Sequence, residues 1–311
     1  MKETSLQNRS CYHDLLRIFA SIAVICIHVC AESETWTDYS FSSPVWTVLN
    51  VFDSISRFAV PVFVMLSGSF MLDKYQEGAL KKLYSKNILR LVCAFVFWST
   101  IYVVVELSYQ LRAHNPPDIK ALLYLFIQGE YHLWFIPMLA FLYIVTPLLK
   151  ELCKNKQNEQ YFICLACVPI IFNFIKYFVT IYPLVELYNN AGFQFVSGYT
   201  AYYILGHYLT KNDTSKRIRI LVYLSAIISL IATVFVSHWH YNAGHISPPY
   251  VYEYLSPTVL IVSIAIFLLF KLGLRIGELV ALKWEDIDTD SMEIHIHRME
   301  TYETDADGNR I

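Results

Sequence analysis

Two long stretches of the sequence contain no lysine or arginine, the first between Arg17 and Arg57 and the second between Arg219 and Lys271. The whole chain is 56% hydrophobic and only 16% charged, whereas soluble domains carry about 25% charged residues. A charged side chain at the centre of a bilayer costs at least about 2.5 kcal/mol. The pattern therefore predicts an integral membrane protein, and the absence of a basic patch argues against a nucleic-acid-binding domain.

Apolar segments long enough to cross about 30 Å of hydrocarbon as helices recur along the chain. The eight segments lie near residues 15–33, 46–72, 89–109, 131–149, 160–179, 195–210, 218–237 and 252–271. A weaker apolar stretch at 121–128 is expected to be re-entrant or to lie along the interface. We therefore expect an all-α polytopic membrane protein with about eight transmembrane helices and a short cytoplasmic α/β tail fragment.

Basic residues are concentrated in alternate loops. The N-terminal segment and the loops after the second, fourth and sixth segments carry Lys2, Arg9, Arg17, Lys74, Lys81, Lys82, Lys86, Arg90, Lys150, Lys154, Lys156, Lys211, Lys216, Arg217 and Arg219. The intervening loops carry only Arg112 and Lys120. The positive-inside rule therefore predicts that the N-terminus and the basic loops are cytoplasmic. With eight spans, the C-terminus is cytoplasmic as well.

Potential metal ligands are present, but their spacing does not indicate a metal site. Cys164 and Cys167 have CxxC spacing inside an apolar segment, without a second pair. His238, His240 and His245 share a predicted outer loop without a neighbouring carboxylate. Zinc sites need a closed set of such ligands, so we expect no bound metal.

The first apolar segment carries an Arg-x10-His pattern. Asp14 precedes Arg17, and His28 follows eleven residues later. Eleven helical steps return to within about 20° of the starting direction and rise about 16 Å, so Arg17 and His28 share one helix face. The pattern predicts an arginine at the cytoplasmic end and a histidine deeper in the membrane. Taken alone, it favours a histidine packed within a helix bundle beside an ordinary basic flank.

The second segment carries a buried-charge pattern followed by small residues. Asp53 and Arg57 are four residues apart on one helix face and can neutralise each other in the membrane. Pro61 follows, and then Ser67 and Gly68. Gly68 allows close approach of another backbone. Ser67 is a weaker nucleophile candidate, because no base follows it, and a structural or substrate-contacting role is favoured.

Two further motifs lie downstream. Lys86 and Arg90 lead into the third segment, and by themselves they need only be cytoplasmic flanks. His132 and Trp134 belong to an HLWF sequence followed by proline, which alone is typical of an aromatic interface anchor. A Tyr202-Tyr-Ile-Leu-Gly206 sequence opens the sixth segment.

In this order, these motifs resemble those of the acyltransferase-3 family of membrane O-acyltransferases, over about residues 10–270. The resemblance implies that His28 is the catalytic base and that Arg17, oriented by Asp14, is linked to the acyl donor. It places the remaining motif residues in substrate or acyl-CoA binding: Arg57, Ser67, Gly68, Lys86, Arg90, His132 and Trp134. The family's R-x-x-R-like pattern is met only by Lys86 and Arg90, with lysine in place of arginine and one extra residue of spacing.

The implied activity is transfer of an acyl group, which we expect to be acetyl, from acyl-CoA to a hydroxyl of a cell-envelope glycan or a related acceptor. Acyl-CoA is then a substrate, and no bound cofactor is expected. The implied partners are the lipid bilayer, acyl-CoA and the hydroxylated acceptor, in a bacterial plasma membrane. Ser256–Ser263 is similar to the membrane half of the serine racemases of glycopeptide-resistance systems.

A sharp change of composition after Lys271 predicts a boundary between an acyltransferase-like domain at 1–271 and a soluble tail at 272–311. The tail resembles the catalytic-domain segment of phage- and transposon-type tyrosine recombinases, and Arg275 matches their first catalytic arginine. Residues 292–298 alternate like a strand. The recombinase nucleophile and its other catalytic residues are absent, so we expect neither recombinase activity nor functional nucleic-acid binding. The tail lies where the family's final spans are expected, which predicts an in-frame chimera made by insertion of a mobile element or, alternatively, an assembly artefact.

Two alternatives remain at this point. The chimera is inactive, or the chain is a transporter or binding protein in which Asp53, Arg57, His28 and Lys176 mark a translocation path. Transporters often contain inverted repeats, and no repeat is found in the sequence.

Overall fold

The computed structural model describes residues 11–30, 43–76, 78–114, 116–178, 198–243, 249–272, 287–288 and 293–294. The chain forms two compact units. The first unit contains Met1–Val62, Thr214–Tyr254 and Thr258–Ile311, and the second contains Phe63–Asp213 and Leu255–Pro257.

The described residues are almost entirely helical. The helices are α1 (Cys11–Cys30), α2 (Pro44–Ser56), α3 (Ala59–Lys74), α4 (Leu89–Arg112), α5 (Ile119–Gln128), α6 (Phe135–Cys153), α7 (Lys156–Phe178), α8 (Tyr199–Lys211), α9 (Lys216–Asn242) and α10 (Pro257–Leu272). A three-residue helical turn, Leu80–Lys82, and a π-helical turn, Leu83–Ile88, lead into α4. Short 3₁₀ turns at Tyr131–Trp134 and Tyr250–Tyr252 precede α6 and α10.

Seven helical segments among the described residues are long and apolar enough to cross a membrane. They are Tyr12–Cys30, Pro44–Lys74, Leu80–Arg112, Ile119–Cys153, Lys156–Lys176, Lys216–Asn242 and Tyr250–Lys271. The prediction of a polytopic all-α membrane protein is confirmed. The predicted segment at 195–210 is not among the seven, because its described part, α8, has 13 residues and reaches only about 20 Å. Residues 179–197, which precede it, lie outside the described part of the chain.

The second span is broken in its middle at Arg57 and Phe58, between α2 and α3. Ser43 begins α2 by accepting a hydrogen bond from the backbone N–H of Trp46 at 3.1 Å, as an N-cap does. Pro61 explains the break. It has no N–H to donate to the carbonyl of Arg57, and its ring crowds that carbonyl. The helix restarts with the bond from the N–H of Val62 to the carbonyl of Phe58 at 3.0 Å.

In the first unit, α1 and α9 both contact α2. The thiol of Cys26 in α1 lies 3.9 Å from the carbonyl oxygen of Phe52 in α2. Trp46 packs against Tyr241 of α9 with ring centroids 5.5 Å apart, and Tyr252 completes this buried aromatic cluster. Phe19 of α1 stacks on Phe58 at 5.3 Å. Apolar and aromatic side chains therefore surround the buried polar residues of α2, among them Asn50 and Asp53.

In the second unit, α3 and α8 touch backbone to backbone at two glycines. A Cβ on Gly68 would overlap the backbone of Tyr203, and a Cβ on Gly206 would overlap the backbone of Met65. Beside this contact, the hydroxyls of Thr146 and Tyr203 hydrogen-bond at 2.9 Å. Small residues at such interfaces let membrane helices approach closely, so Gly68 has a packing role in addition to any role in binding.

We expect Gly68→Ala and Gly206→Ala each to destabilise the second unit by about 1–3 kcal/mol, as overpacking does. The check is the thermal midpoint of the detergent-solubilised chain. Gly78→Asn is the matched control, because a Cβ at Gly78 meets nothing within 4 Å and asparagine tolerates its φ of 80°. An unchanged midpoint for both alanine variants would contradict the close α3–α8 contact.

The weak apolar stretch at 121–128 falls in α5, a separate 10-residue helix. Asp118 caps its start by accepting from the N–H groups of Lys120 and Ala121 at 3.0 Å. Gly129 ends it with a φ of 75°, a left-handed conformation that favours glycine. This helix packs against α4. The turn at Gly129 thus separates α5 from the span-forming α6.

In the tail, Ile287–Asp288 and Glu293–Ile294 form β1 and β2, which pair antiparallel with Ile287 opposite Ile294. The second of these strands lies within the stretch predicted to alternate. The recombinase-like residue Arg275 lies outside the described residues.

Candidate functional site

The Arg-x10-His pattern lies along α1 as predicted. Arg17 forms an ion pair with Asp14, with Nη1 and Oδ1 3.1 Å apart, and these side chains are 44% and 36% exposed. His28 is half-buried in the last described turn of the helix. Leu16, Ala20 and other buried positions mark the packed face of α1. Arg17 and His28 lie at one edge of that face, where an arriving ligand can reach them.

A buried ion pair lies at the break in the second span. Arg57 Nη2 donates to Asp53 Oδ2 at 2.5 Å, and the side chains are 15% and 0% exposed. The guanidinium also lies over the ring of Tyr252, 4.6 Å from its centroid, an additional cation–π contact. Asp53 Oδ1 and Arg57 Nε have no hydrogen-bond partner among the described residues. The pair thus keeps one acceptor and one donor for a further polar group.

Asn50, one turn before Asp53, holds this region together. Its side-chain amide donates to the carbonyl of Val234 in α9 at 3.2 Å. Its Oδ1 accepts from the hydroxyls of Ser237 at 2.7 Å and Tyr252. All of these residues belong to the first unit. Buried polar groups are stabilised when they are hydrogen-bonded in this way, so the network fixes α2 relative to α9 and positions the Asp53–Arg57 pair.

The last turn of α1 packs against α2, the helix that carries Asn50 and Asp53, through the helix face that contains Cys26. The thiol of Cys26 contacts the carbonyl of Phe52 in α2, one residue before Asp53, and lies 3.9 Å from the thiol of Cys30. His28 lies in the same turn as these cysteines, but helical geometry turns it about 160° away from both of them. The structure therefore brings the ion pair next to the last turn of α1 without directing His28 at it.

In the second unit, His132 Nε2 and the hydroxyl of Tyr102 are within hydrogen-bond distance at 3.0 Å. Trp134 packs against Tyr199 with ring centroids 5.5 Å apart. The HLWF motif is thus a 3₁₀ turn that presents a histidine–tyrosine pair and a packed tryptophan. Ser67 is half-buried in α3, one residue before the glycine that contacts α8.

Lys86 and Arg90 are both exposed at the start of the third span. Lys86 lies in the π-helical turn Leu83–Ile88, and Arg90 lies just after it. A π-turn appears mostly as a single-turn bulge inside an α-helix, often at a functional site. Lys86 therefore lies in an irregular turn that leads into α4.

Comparison with known proteins identifies the fold family. The model of the acyltransferase-3 family, described as an acyltransferase domain, matches residues 12–284. The chain belongs to the acyltransferase-3 family. No curated protein and no solved structure matches it.

The match of this acyltransferase-3 chain contains every predicted site residue, from Asp14 to Trp134, and its end at 284 lies beyond the boundary predicted at 271. It also includes Arg275, the residue interpreted as a recombinase remnant. Family membership supports a membrane acyltransferase, which is coarser than the donor and acceptor expected from the motifs.

His238 and His240, predicted to lie in an outer loop, instead lie near the end of α9, where each has an aromatic packing partner. His238 packs against Trp46 with ring centroids 5.5 Å apart, and His240 is buried edge-on against Tyr241. His245 lies outside the described residues.

The acyltransferase-3 chain also contains a cluster that the sequence analysis missed. Cys153, Glu159 and His207 place their ligand atoms within 4.8 Å of one another. No local sequence pattern indicates this cluster, because Glu159 and His207 are 48 positions apart and lie on different helices.

Proposed function

We propose that this protein transfers an acetyl group from cytoplasmic acyl-CoA to a hydroxyl of a cell-envelope glycan or related acceptor in a bacterial plasma membrane. The observation that carries the proposal is the family match over residues 12–284, which includes both Arg17 and His28. The motif resemblance supports the finer identity of the donor and acceptor, and the basic loops, predicted to be cytoplasmic, support a donor that carries phosphates.

In this reaction, His28 takes the proton of the acceptor hydroxyl while the hydroxyl oxygen attacks the carbonyl carbon of the thioester. The C–O bond of the ester forms, the C–S bond breaks, and the proton leaves with the thiol of coenzyme A. Histidine suits this role because its ordinary pKa, about 6.5, is near neutrality. His28 is half-buried at the edge of the packed face of α1, which leaves it accessible to a substrate.

Arg57 is proposed to contact the substrate through its Nε, which is buried and has no hydrogen-bond partner among the described residues. A donor that is buried, charged and without a protein partner stabilises a negatively polarised oxygen more strongly than a solvated one. A carbonyl oxygen of the bound substrate other than that of the thioester offers such an oxygen. Asp53, held at 2.5 Å, fixes the guanidinium, so Arg57 is preorganised for this contact.

Donor phosphates are proposed to bind basic groups at cytoplasmic helix ends. Arg17 is exposed and already oriented by Asp14. Lys86 and Arg90 are exposed on the π-turn and the first turn of α4. Arginine binds phosphate bidentately and lysine binds it as a point charge. His132 and Trp134 are proposed to contact the acceptor, since histidine supplies hydrogen bonds and tryptophan supplies an apolar platform.

Two further proposals concern the relatives of the membrane domain and the origin of the tail. We infer that the membrane domain is related to the membrane half of glycopeptide-resistance serine racemases, and that residues 272–311 derive from a tyrosine recombinase. We propose no DNA chemistry for Arg275 and no bound cofactor in acyl transfer.

Arg90→Gln is expected to raise the KM for acetyl-CoA about 10-fold, because losing one charge-assisted phosphate contact costs about 1.5 kcal/mol. The measurement is steady-state transfer by the detergent-purified chain, with acetyl-CoA and with acetyl-pantetheine, which lacks the nucleotide phosphates. The increase should vanish with acetyl-pantetheine. Arg112→Gln, at the other exposed end of α4, is the matched control and should leave both KM values unchanged. Equal effects on both donors would overturn phosphate binding by Arg90.

A further inference from the structure

Three side chains with different donor atoms converge in the second unit. Glu159 Oε1 lies 2.8 Å from His207 Nδ1, and the two side chains are only 4% and 8% exposed. The sulfur of Cys153 lies with them, and all three ligand atoms fall within 4.8 Å of one another. Cys153 is half-buried, so little of the cluster is open to solvent.

Rigid helix ends hold the cluster in place. Helix α6 ends at Cys153, and α7 begins at Lys156 after a tight turn. The side chain of Asn155 caps α7 by accepting from the N–H of Gln157 at 2.8 Å. The hydroxyl of Tyr208, next to His207, accepts from Gln160 at 2.7 Å, which fastens α8 to α7. The three ligands therefore come from three different helices that pack against one another.

The atoms have the identity and spacing of a zinc site. Thiolate, imidazole and carboxylate all bind zinc, at about 2.0–2.3 Å, and a tetrahedron with such bonds has edges of about 3.3–3.7 Å. These edges fit within the 4.8 Å that contains the three atoms. To reach such an edge, the 2.8 Å histidine–glutamate contact has to widen by about 0.5 Å.

Charge balance also favours a divalent cation. The Glu159 carboxylate is buried, and a buried charge needs compensation. One Zn²⁺ is neutralised by this carboxylate together with a Cys153 thiolate. Among the neighbouring charged groups, Asp73 pairs with Lys211, and the Lys150 ammonium is hydrogen-bonded to the carbonyl of Leu72.

We propose that Cys153, Glu159 and His207 bind one Zn²⁺ ion, with a fourth position left for water, and that the ion fastens α6, α7 and α8 together. The mixed sulfur, nitrogen and oxygen set favours zinc over the hard cations Mg²⁺ and Ca²⁺. The site is independent of the proposed acyl transfer. The sequence predicted no bound metal, because neither the Cys164–Cys167 pair nor the set of His238, His240 and His245 has the spacing of a metal site.

The first test is the metal content of the full chain, purified in detergent through a tag without histidine. We expect about one zinc per chain by mass spectrometry, and a loss of most of it in Cys153→Ser, Glu159→Gln and His207→Asn. Cys164→Ser is the matched control, because Cys164 is an exposed thiol in α7, and it should retain the metal. Zinc that is absent from the folded chain, or that is unchanged in all three variants, would overturn the proposal.

If a variant fails to fold, cobalt substitution provides a second test of whether Cys153 binds the metal. Co²⁺ added to the metal-depleted wild-type chain should give a thiolate-to-cobalt charge-transfer band in the near ultraviolet. The band should persist in Cys164→Ser, and Cys153→His should keep the metal while losing the band. If Co²⁺ binds the wild-type chain without a thiolate band, or does not bind, Cys153 is not a ligand and the proposed site is wrong.

Discussion

Replacing His28 with alanine or asparagine is expected to lower acyl transfer at least about 100-fold, the lower range of what general acid–base catalysis contributes. The loss should appear in kcat, because the base acts on the acceptor proton in the transition state and not on donor binding. Membrane insertion and the thermal midpoint should change little, since His28 is half-buried at the edge of the packed face of α1. The measurement is transfer of labelled acetyl from acetyl-CoA by the detergent-purified chain, beside a fold check by size-exclusion chromatography.

His114→Asn is the matched control. His114 is exposed beyond the end of α4, and its φ of 56° is one that asparagine adopts readily. This variant should keep full activity. Full activity in His28→Ala would exclude His28 as the base. No activity in the well-folded wild-type chain would favour the inactive chimera, and acyl-CoA binding without turnover would favour a binding protein or transporter.

The sequence could predict the helical spans because hydrocarbon thickness and charge exclusion act on each segment separately. It could not establish the span at 195–210, whose described helix α8 has 13 residues. The break at Arg57 could be anticipated from Pro61, since proline acts on the carbonyl four residues before it. The π-turn Leu83–Ile88 could not be predicted, because no local residue pattern marks it.

The candidate site could be predicted where its residues share one helix. Arg17 with Asp14, and Arg57 with Asp53, follow from spacing of three and four residues. The Asn50 network could not be predicted, because Asn50 and Tyr252 are 202 positions apart. The cluster of Cys153, Glu159 and His207 was missed for the same reason, since the packing of α7 against α8 creates it.

Removing one partner of the buried pair should destabilise the first unit strongly. Arg57→Met leaves the fully buried Asp53 without its cation, and such uncompensated charges cost about 3–5 kcal/mol. The measurement is the free energy of unfolding in detergent by denaturant titration. Glu151→Gln is the matched control, because Glu151 forms the same kind of short-range ion pair with Lys154 at 2.9 Å, but exposed. Exposed pairs contribute about 0–1 kcal/mol, so this variant should be close to the wild-type chain.

The double variant Asp53→Asn/Arg57→Met separates the structural role of the pair from its proposed role in binding. With neither charge present, no uncompensated ion is buried, so most of the stability lost in Arg57→Met should return. Acyl transfer should stay low, because the Nε of Arg57 that is proposed to contact the substrate is still missing. If the double variant recovers both stability and activity, Arg57 serves only to neutralise Asp53 and does not contact the substrate. If Arg57→Met alone is as stable as the wild-type chain, the Asp53 carboxylate is not held as a buried charge.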